Sequence, residues 1–140
     1  MKIAGLGLWM ALAVLPGWAA AQTQVQKCVI SSGSKATSNG IISNEYYFLQ
    51  DAKTGAVQVE DSILQYFTKK PADAVVSAND GATLAFSWSV LMVNSAGQRT
   101  KMLYRATLFK TTNEIDIFAR PNGYKNTFQA RGKCAPFVPN

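Results

Sequence analysis

The chain has 140 residues, with 14 Lys and Arg against 8 Asp and Glu, two cysteines and no histidine. Without histidine there is no Ser-His-Asp or Cys-His machinery, and the commonest general base near neutral pH is missing. Two cysteines alone cannot supply the four ligands of a structural zinc site.

Residues 1–21 read MKIAGLGLWMALAVLPGWAAA. One early cation, Lys2, precedes an apolar run from Ile3 to Leu15, and Pro16-Gly17 breaks that run. Ala19-x-Ala21 then supplies small residues before a cut expected between Ala21 and Gln22. This is the three-part pattern of a secretory signal peptide. The apolar run falls short of the ~18–20 residues of a membrane-spanning helix. The mature chain, residues 22–140, is expected to be exported and to act in the periplasm or outside the cell. It suits a single domain of about 120 residues. No linker or repeat divides it. Lys2 leaves with the signal, which takes the net charge from +6 to +5.

Most of the mature chain alternates with period two between turn residues, the pattern of antiparallel strands. Val25 to Ser31 and Ile41 to Gln50 read as strands, separated by a polar loop, SSGSKATSNG, over Ser31 to Gly40. Asp51 to Gly55 reads as a turn and Ala56 to Glu60 as a short strand. Residues 61–70, DSILQYFTKK, carry Ile63, Leu64, Tyr66 and Phe67 at helical spacing. Asp61 would cap a short helix there and Pro71 would stop it, with a strand as the alternative. Asp73 to Ala78 is a further short strand. Ala82 to Asn94 puts Leu84, Phe86, Trp88, Val90 and Met92 on one face. Gln98 to Lys110 puts Met102, Tyr104, Ala106 and Leu108 inward, with Arg99, Lys101 and Arg105 outward. Glu114 to Arg120 turns Ile115, Ile117 and Ala119 inward. Tyr124 to Lys133 turns Tyr124, Phe128 and Ala130 inward. The fold class is mainly β: a meander of seven or eight strands forming a small barrel or a sandwich, with one possible short helix near 61–70.

Export would place Cys28 and Cys134 in a disulfide-permissive compartment, and two cysteines allow one pairing within the chain. A Cys28–Cys134 bridge would hold the first and last strands within ~6 Å. A closed barrel meets that condition and leaves no free sheet edge, so the barrel is the preferred architecture.

The acids pair as Glu60-Asp61 and as Glu114 with Asp116. Both pairs read as surface charge, because an acid-base carboxylate needs a pKa raised by burial. No Gly-rich phosphate loop, calcium loop, metal site or cofactor motif is present. These absences favour a non-catalytic binding protein, and two surfaces invite a binding role. Phe86, Trp88, Met92, Tyr104 and Phe128 either fill the interior or line a cavity for one small apolar ligand. Arg99, Lys101, Arg105, Arg120, Lys125, Arg131 and Lys133 would form one basic outer surface if their strands are neighbours. Residues 99–140 carry eight cations against Glu114 and Asp116, whereas residues 22–98 carry five against six acids. Such a surface suits an anionic protein or envelope component, or simply keeps the chain soluble. No aromatic platform interleaves with it, which argues against nucleic acid.

The export signal, the meander, Arg105-Ala106-Thr107 and the closing Arg131-Gly132-Lys133-Cys134 resemble small secreted proteins of Gram-negative bacteria. In general shape the chain is similar to lipocalin-like and streptavidin-like barrels, although the Gly-x-Trp that opens a lipocalin is absent from the start of the expected mature chain. The resemblance implies a small disulfide-tied barrel and carries no assigned activity with it. It also extends to small periplasmic inhibitors of envelope-targeting enzymes.

Overall fold

The computed structural model describes residues 23–31, 37 and 39–138. The expected signal segment and most of the Ser31–Gly40 loop lie outside the described residues. Eight strands follow one another as β1 (Thr23–Ile30), β2 (Glu45–Asp51), β3 (Val57–Asp61), β4 (Ala72–Asn79), β5 (Thr83–Val93), β6 (Arg99–Phe109), β7 (Glu114–Pro121) and β8 (Phe128–Pro136). One short helix, α1 (Ser62–Phe67), sits between β3 and β4. Each strand pairs antiparallel with the next, and β8 pairs with β1, so the sheet closes into a barrel.

The seam is made where the two ends of the chain meet. Cys28 stands directly opposite Cys134, with a Cα–Cα separation of 3.9 Å, and the two form a disulfide across 106 residues. A loop of that length gives a stabilisation of up to ~4–5 kcal/mol in the chain-entropy description. Two residues earlier on β8, Gly132 faces Ile30 across the same seam. A Cβ on Gly132 would lie 2.3 Å from the Val29 carbonyl oxygen and 2.9 Å from the Ile30 Cα. Here glycine is required by space, since both neighbours are backbone.

Alternation decides the inside. Tyr46 and Phe48 of β2, Phe86 and Trp88 of β5 and Tyr104 of β6 all point inward and are buried. Their rings pack on one another. Trp88 stacks on Tyr104 at 5.3 Å, Tyr46 stacks on Phe48 at 5.7 Å, and Phe48 meets Phe86 edge-on at 4.9 Å. Such contacts add about 0.5–1.5 kcal/mol per pair beyond the area they bury. Val57, Val59, Ile115, Ile117 and Ala119 are among the aliphatic residues packed into the same core.

Three local expectations are corrected. The segment Ile41–Asn44 is not strand; it crosses one end of the barrel with Ile42 and Ser43 buried, and β2 starts only at Glu45. Tyr124 is exposed rather than inward, because β8 begins at Phe128. Gly123 takes a left-handed φ of 87°, and Tyr124 N–H closes a turn onto the Pro121 carbonyl, so pairing resumes late. Asp61 belongs to the interior, as described below. Lys69 takes a left-handed φ of 60° after α1, a position glycine commonly occupies, and its N–H bonds the Leu64 carbonyl to end the helix.

Gly132→Ala is expected to lower stability by about 1–3 kcal/mol, the usual range for overpacking a filled site. A Cβ at Gly81 meets nothing within 4 Å, and that glycine has no left-handed φ. Gly81→Ala should therefore leave the urea midpoint unchanged or raise it slightly. Equal midpoints for the two variants would show that the seam tolerates a side chain.

Candidate functional site

The outer face of β4 to β8 carries a groove of about 740 Å³. Its floor comes from Ser87 and Ser89, whose short side chains point outward from β5. Its walls come from longer residues on the flanking strands. Register places them in rows. Val75, Ser87, Arg105, Phe118 and Gln129 lie side by side across five strands. The next row is Ser89, Leu103 and Arg120, and beyond it Leu91 faces Lys101 and Val93 faces Arg99. On this face each of the four cations Arg99, Lys101, Arg105 and Arg120 is therefore the cross-strand neighbour of an apolar residue.

The seven basic residues expected to form one surface do lie on β6, β7, β8 and the turn after β7, but they divide into two groups. Arg131 is engaged by Asp116, Nε to Oδ1 at 3.1 Å, and Lys133 stands opposite Glu114. The acids of β7 interleave with the cations of β8 and dilute the charge there. Lys101, Arg105 and Arg120 line the groove, and among the described residues none of them is in an ion pair. Arg99 lies just past the groove at the start of β6, and Lys125 stands exposed in the β7–β8 connection. Asp73 lines the β4 side of the groove and accepts a hydrogen bond from Gln58 Nε2 at 2.9 Å.

The residues considered for an interior ligand have a different place. Phe86, Trp88 and Tyr104 are stacked into the core, while Met92 and Phe128 are half-buried and pack against it.

A polar cluster that the sequence reading missed lies at the end of the barrel crossed by Ile41–Asn44. Asp61 is the last residue of β3 and the cap of α1. Its Oδ1 accepts the Leu64 N–H at 3.0 Å, and its Oδ2 accepts the Ser43 hydroxyl at 2.5 Å. Ser43 N–H donates to the Tyr46 hydroxyl at 3.0 Å, and the Tyr104 hydroxyl donates to the Ile41 carbonyl at 2.6 Å. Together these bonds pin the loop to the helix and to two barrel tyrosines. The surface reading of Asp61 is thus overturned: Glu60 is exposed, whereas Asp61 is 8% exposed. The signal was present in the period-two row Val57, Val59, Asp61, all on the inward face. Burial raises the Asp61 carboxyl above its usual range, against the opposing effect of Ser43 and the Leu64 and Ile63 N–H groups. Burial and the nearby Asp61 charge likewise raise the phenols of Tyr46 and Tyr104, so both stay neutral. Among the described residues, no group of three or more Cys, Asp or Glu side chains is placed to hold a metal ion.

What these observations define is a closed, disulfide-tied, eight-stranded antiparallel barrel with a grooved outer face. The chain matches no family model, no curated protein and no solved structure.

A carboxyl raised on folding stabilises most at pH below its unfolded value of about 3.9, and that stabilisation is lost as pH rises through the folded value. Asp61→Asn keeps a capping oxygen and removes the buried charge. Its stability relative to the native chain is expected to be better at pH 7 than at pH 4. Asp61→Ala should cost about 1–3 kcal/mol through the lost cap and the stranded Ser43 hydroxyl. Urea unfolding of both variants at the two pH values checks this. An Asn variant whose relative stability does not change with pH would refute the buried-charge account.

Proposed function

We propose that this chain is an exported, non-catalytic binding protein whose outer groove engages an anionic, amphiphilic component of the cell envelope. The observation that carries this reading is the groove's chemistry. Lys101, Arg105 and Arg120 lack ion-pair partners among the described residues and alternate with Leu103 and Phe118. A partner that presents acidic groups beside apolar segments would meet both at once. Charged residues in such a pattern set on-rate and selectivity, while the apolar residues supply contact area. Export is supported by the signal-like first 21 residues and by a disulfide that suits an oxidising compartment. The interior supports a carrier role less well, because its centre is occupied by packed rings. Direct action on an envelope enzyme would use the same groove, with an acidic protein surface in place of a lipid or polymer.

Vesicles of phosphatidylethanolamine with phosphatidylglycerol serve as the probe, with phosphatidylcholine vesicles as the neutral control. Binding by flotation is expected for the anionic vesicles only, weakening from 50 to 300 mM salt as the charges are screened. At about 1 kcal/mol per cation near an anionic surface, the double variant Arg105→Gln, Arg120→Gln should bind roughly 30-fold more weakly. Equal binding by this variant would displace the groove as the site. Failure on vesicles, combined with salt-sensitive and variant-sensitive binding of an acidic protein domain, would move the partner from lipid to protein. Failure on both would overturn the proposal. An intact mass from an exporting host should match residues 22–140 less two hydrogens. Retention of residues 1–21 would remove the export argument.

A further inference from the structure

The two ends of the barrel differ. One is crossed by Ile41–Asn44 and latched through Ser43 and Asp61. The opposite mouth is framed by the β2–β3, β4–β5 and β6–β7 turns and contains a cavity of about 300 Å³. That volume lies at the lower end of the roughly 300–1,000 Å³ typical of small-molecule sites. We propose that this mouth binds a small carboxylate with a short apolar tail. The site is separate from the outer groove and does not depend on it.

Three features carry the inference. The first is the division of the walls. Leu84, Phe86 and Leu108 are buried at the bottom of the cavity, while Gln26, Gln50 and Lys110 line it above them. An apolar floor beneath a few convergent polar groups is the general form of a site that orients an amphiphile. The second is the presence of amides where the inward rows are otherwise apolar. On β1 the row that contains Cys28 and Ile30 continues outward through Gln26. On β2 the row of Tyr46 and Phe48 continues through Gln50. The Gln26 Oε1 is shielded from solvent and has no hydrogen-bond donor. A buried acceptor without a partner costs about 1–3 kcal/mol. An ionised carboxylate cannot donate to it, so the relief comes from turning the amide by half a turn, which presents the Nε2 donor to the carboxylate in place of Oε1.

The third feature is charge. Among the described residues no carboxylate lines the cavity, and Lys110 is its one cation. The Lys110 ammonium donates to Asn79 Oδ1 at 2.8 Å and to the Asp80 carbonyl at 2.5 Å. An ammonium has three donors, so one remains for a ligand. Both of its hydrogen-bond partners are neutral groups; the nearby Asp80 carboxylate offsets part of its charge, and the remainder is available to an anion. A carboxylate head at Lys110 with its tail against Leu84 and Leu108 uses every wall. A cationic head would face Lys110 without compensation.

The probe is octanoate, with octylamine as the opposite-charge control, titrated into the disulfide-bonded mature protein and followed by two-dimensional NMR. Saturable binding is expected at a Kd of ~1 mM or below. Shifts should fall on the Gln26 and Gln50 side-chain amides and the Leu84 and Leu108 methyls, and octylamine should not bind there. Lys110→Met keeps the apolar stem and should weaken octanoate about tenfold or more. Gln50→Leu tests the amide wall, with loss of the 3.5 Å hydrogen bond from Gln50 Nε2 to the Gly55 carbonyl of the β2–β3 turn, and should also weaken it. No saturation by ~10 mM octanoate, equal binding of octylamine, unchanged affinity in both variants, or shifts centred on Leu103 and Phe118 would each overturn the proposal.

Discussion

An eight-stranded meander has two edges until its first and last strands meet, and here a five-residue pairing of β1 with β8 is locked by a disulfide at its middle. Cys28 and Cys134 lie in register across β1 and β8, and Gly132 lets the two backbones approach beside them. Once this seam is made, every strand has two neighbours and every inward side chain faces a shared centre. An open sheet of the same strands would leave β1 and β8 as unpaired templates for association. The disulfide restricts the unfolded chain, and the glycine permits the folded contact, so they act on opposite sides of the same equilibrium.

Closure has consequences for where recognition can occur. A small barrel brings its inward residues together, and five aromatic rings from β2, β5 and β6 occupy the middle of this one. What remains for a partner is the outside and the ends. On the outside, the long pair β5 and β6 sets short serines between longer side chains, which creates a groove without bending the sheet out of its barrel. At the ends, polarity distinguishes a latched side, held by Asp61 and Ser43, from a side lined by amides and one lysine. The charge of the C-terminal third is concentrated by β6 to β8 but is not uniform. The acids of β7 neutralise part of β8, whereas Lys101, Arg105 and Arg120 line the groove with no ion-pair partner among the described residues.

Much of this was legible in the chain itself. Period-two rows pointed to seven or eight strands, to the alternation of β5 and β6, and to the inward places of Phe86, Trp88 and Tyr104, but not to those of Tyr46 and Phe48. The capping chemistry of Asp61 and the stop at Pro71 favoured the helix over the strand, and α1 runs over Ser62–Phe67. The misses have particular causes. Tyr124 lies after Pro121-Asn122-Gly123 and was given to a strand that starts four residues later, because pattern alone does not show how many residues a turn consumes. Ile41 and Ile42 resemble the start of a strand, yet they serve as a plug, and an apolar pair looks the same in either role. Asp61 resembles surface charge because a carboxylate is usually exposed, although its parity with Val57 and Val59 points inward.

By itself, the amino-acid sequence determined the period of each segment, the inward and outward parity of its residues, the available disulfide and the chemistries that lack their residues. These are properties of neighbours along the chain, and local sterics and solvent preference decide them. Tertiary structure decided which strands lie side by side and in which register. It therefore decided that Arg105 meets Phe118, that Asp116 engages Arg131, that Ser43 reaches Asp61, and that Gln26 and Gln50 share a mouth with Lys110. Each of these pairings joins residues distant in sequence. Their distances follow from sheet closure and pairing register, which one strand's pattern does not specify.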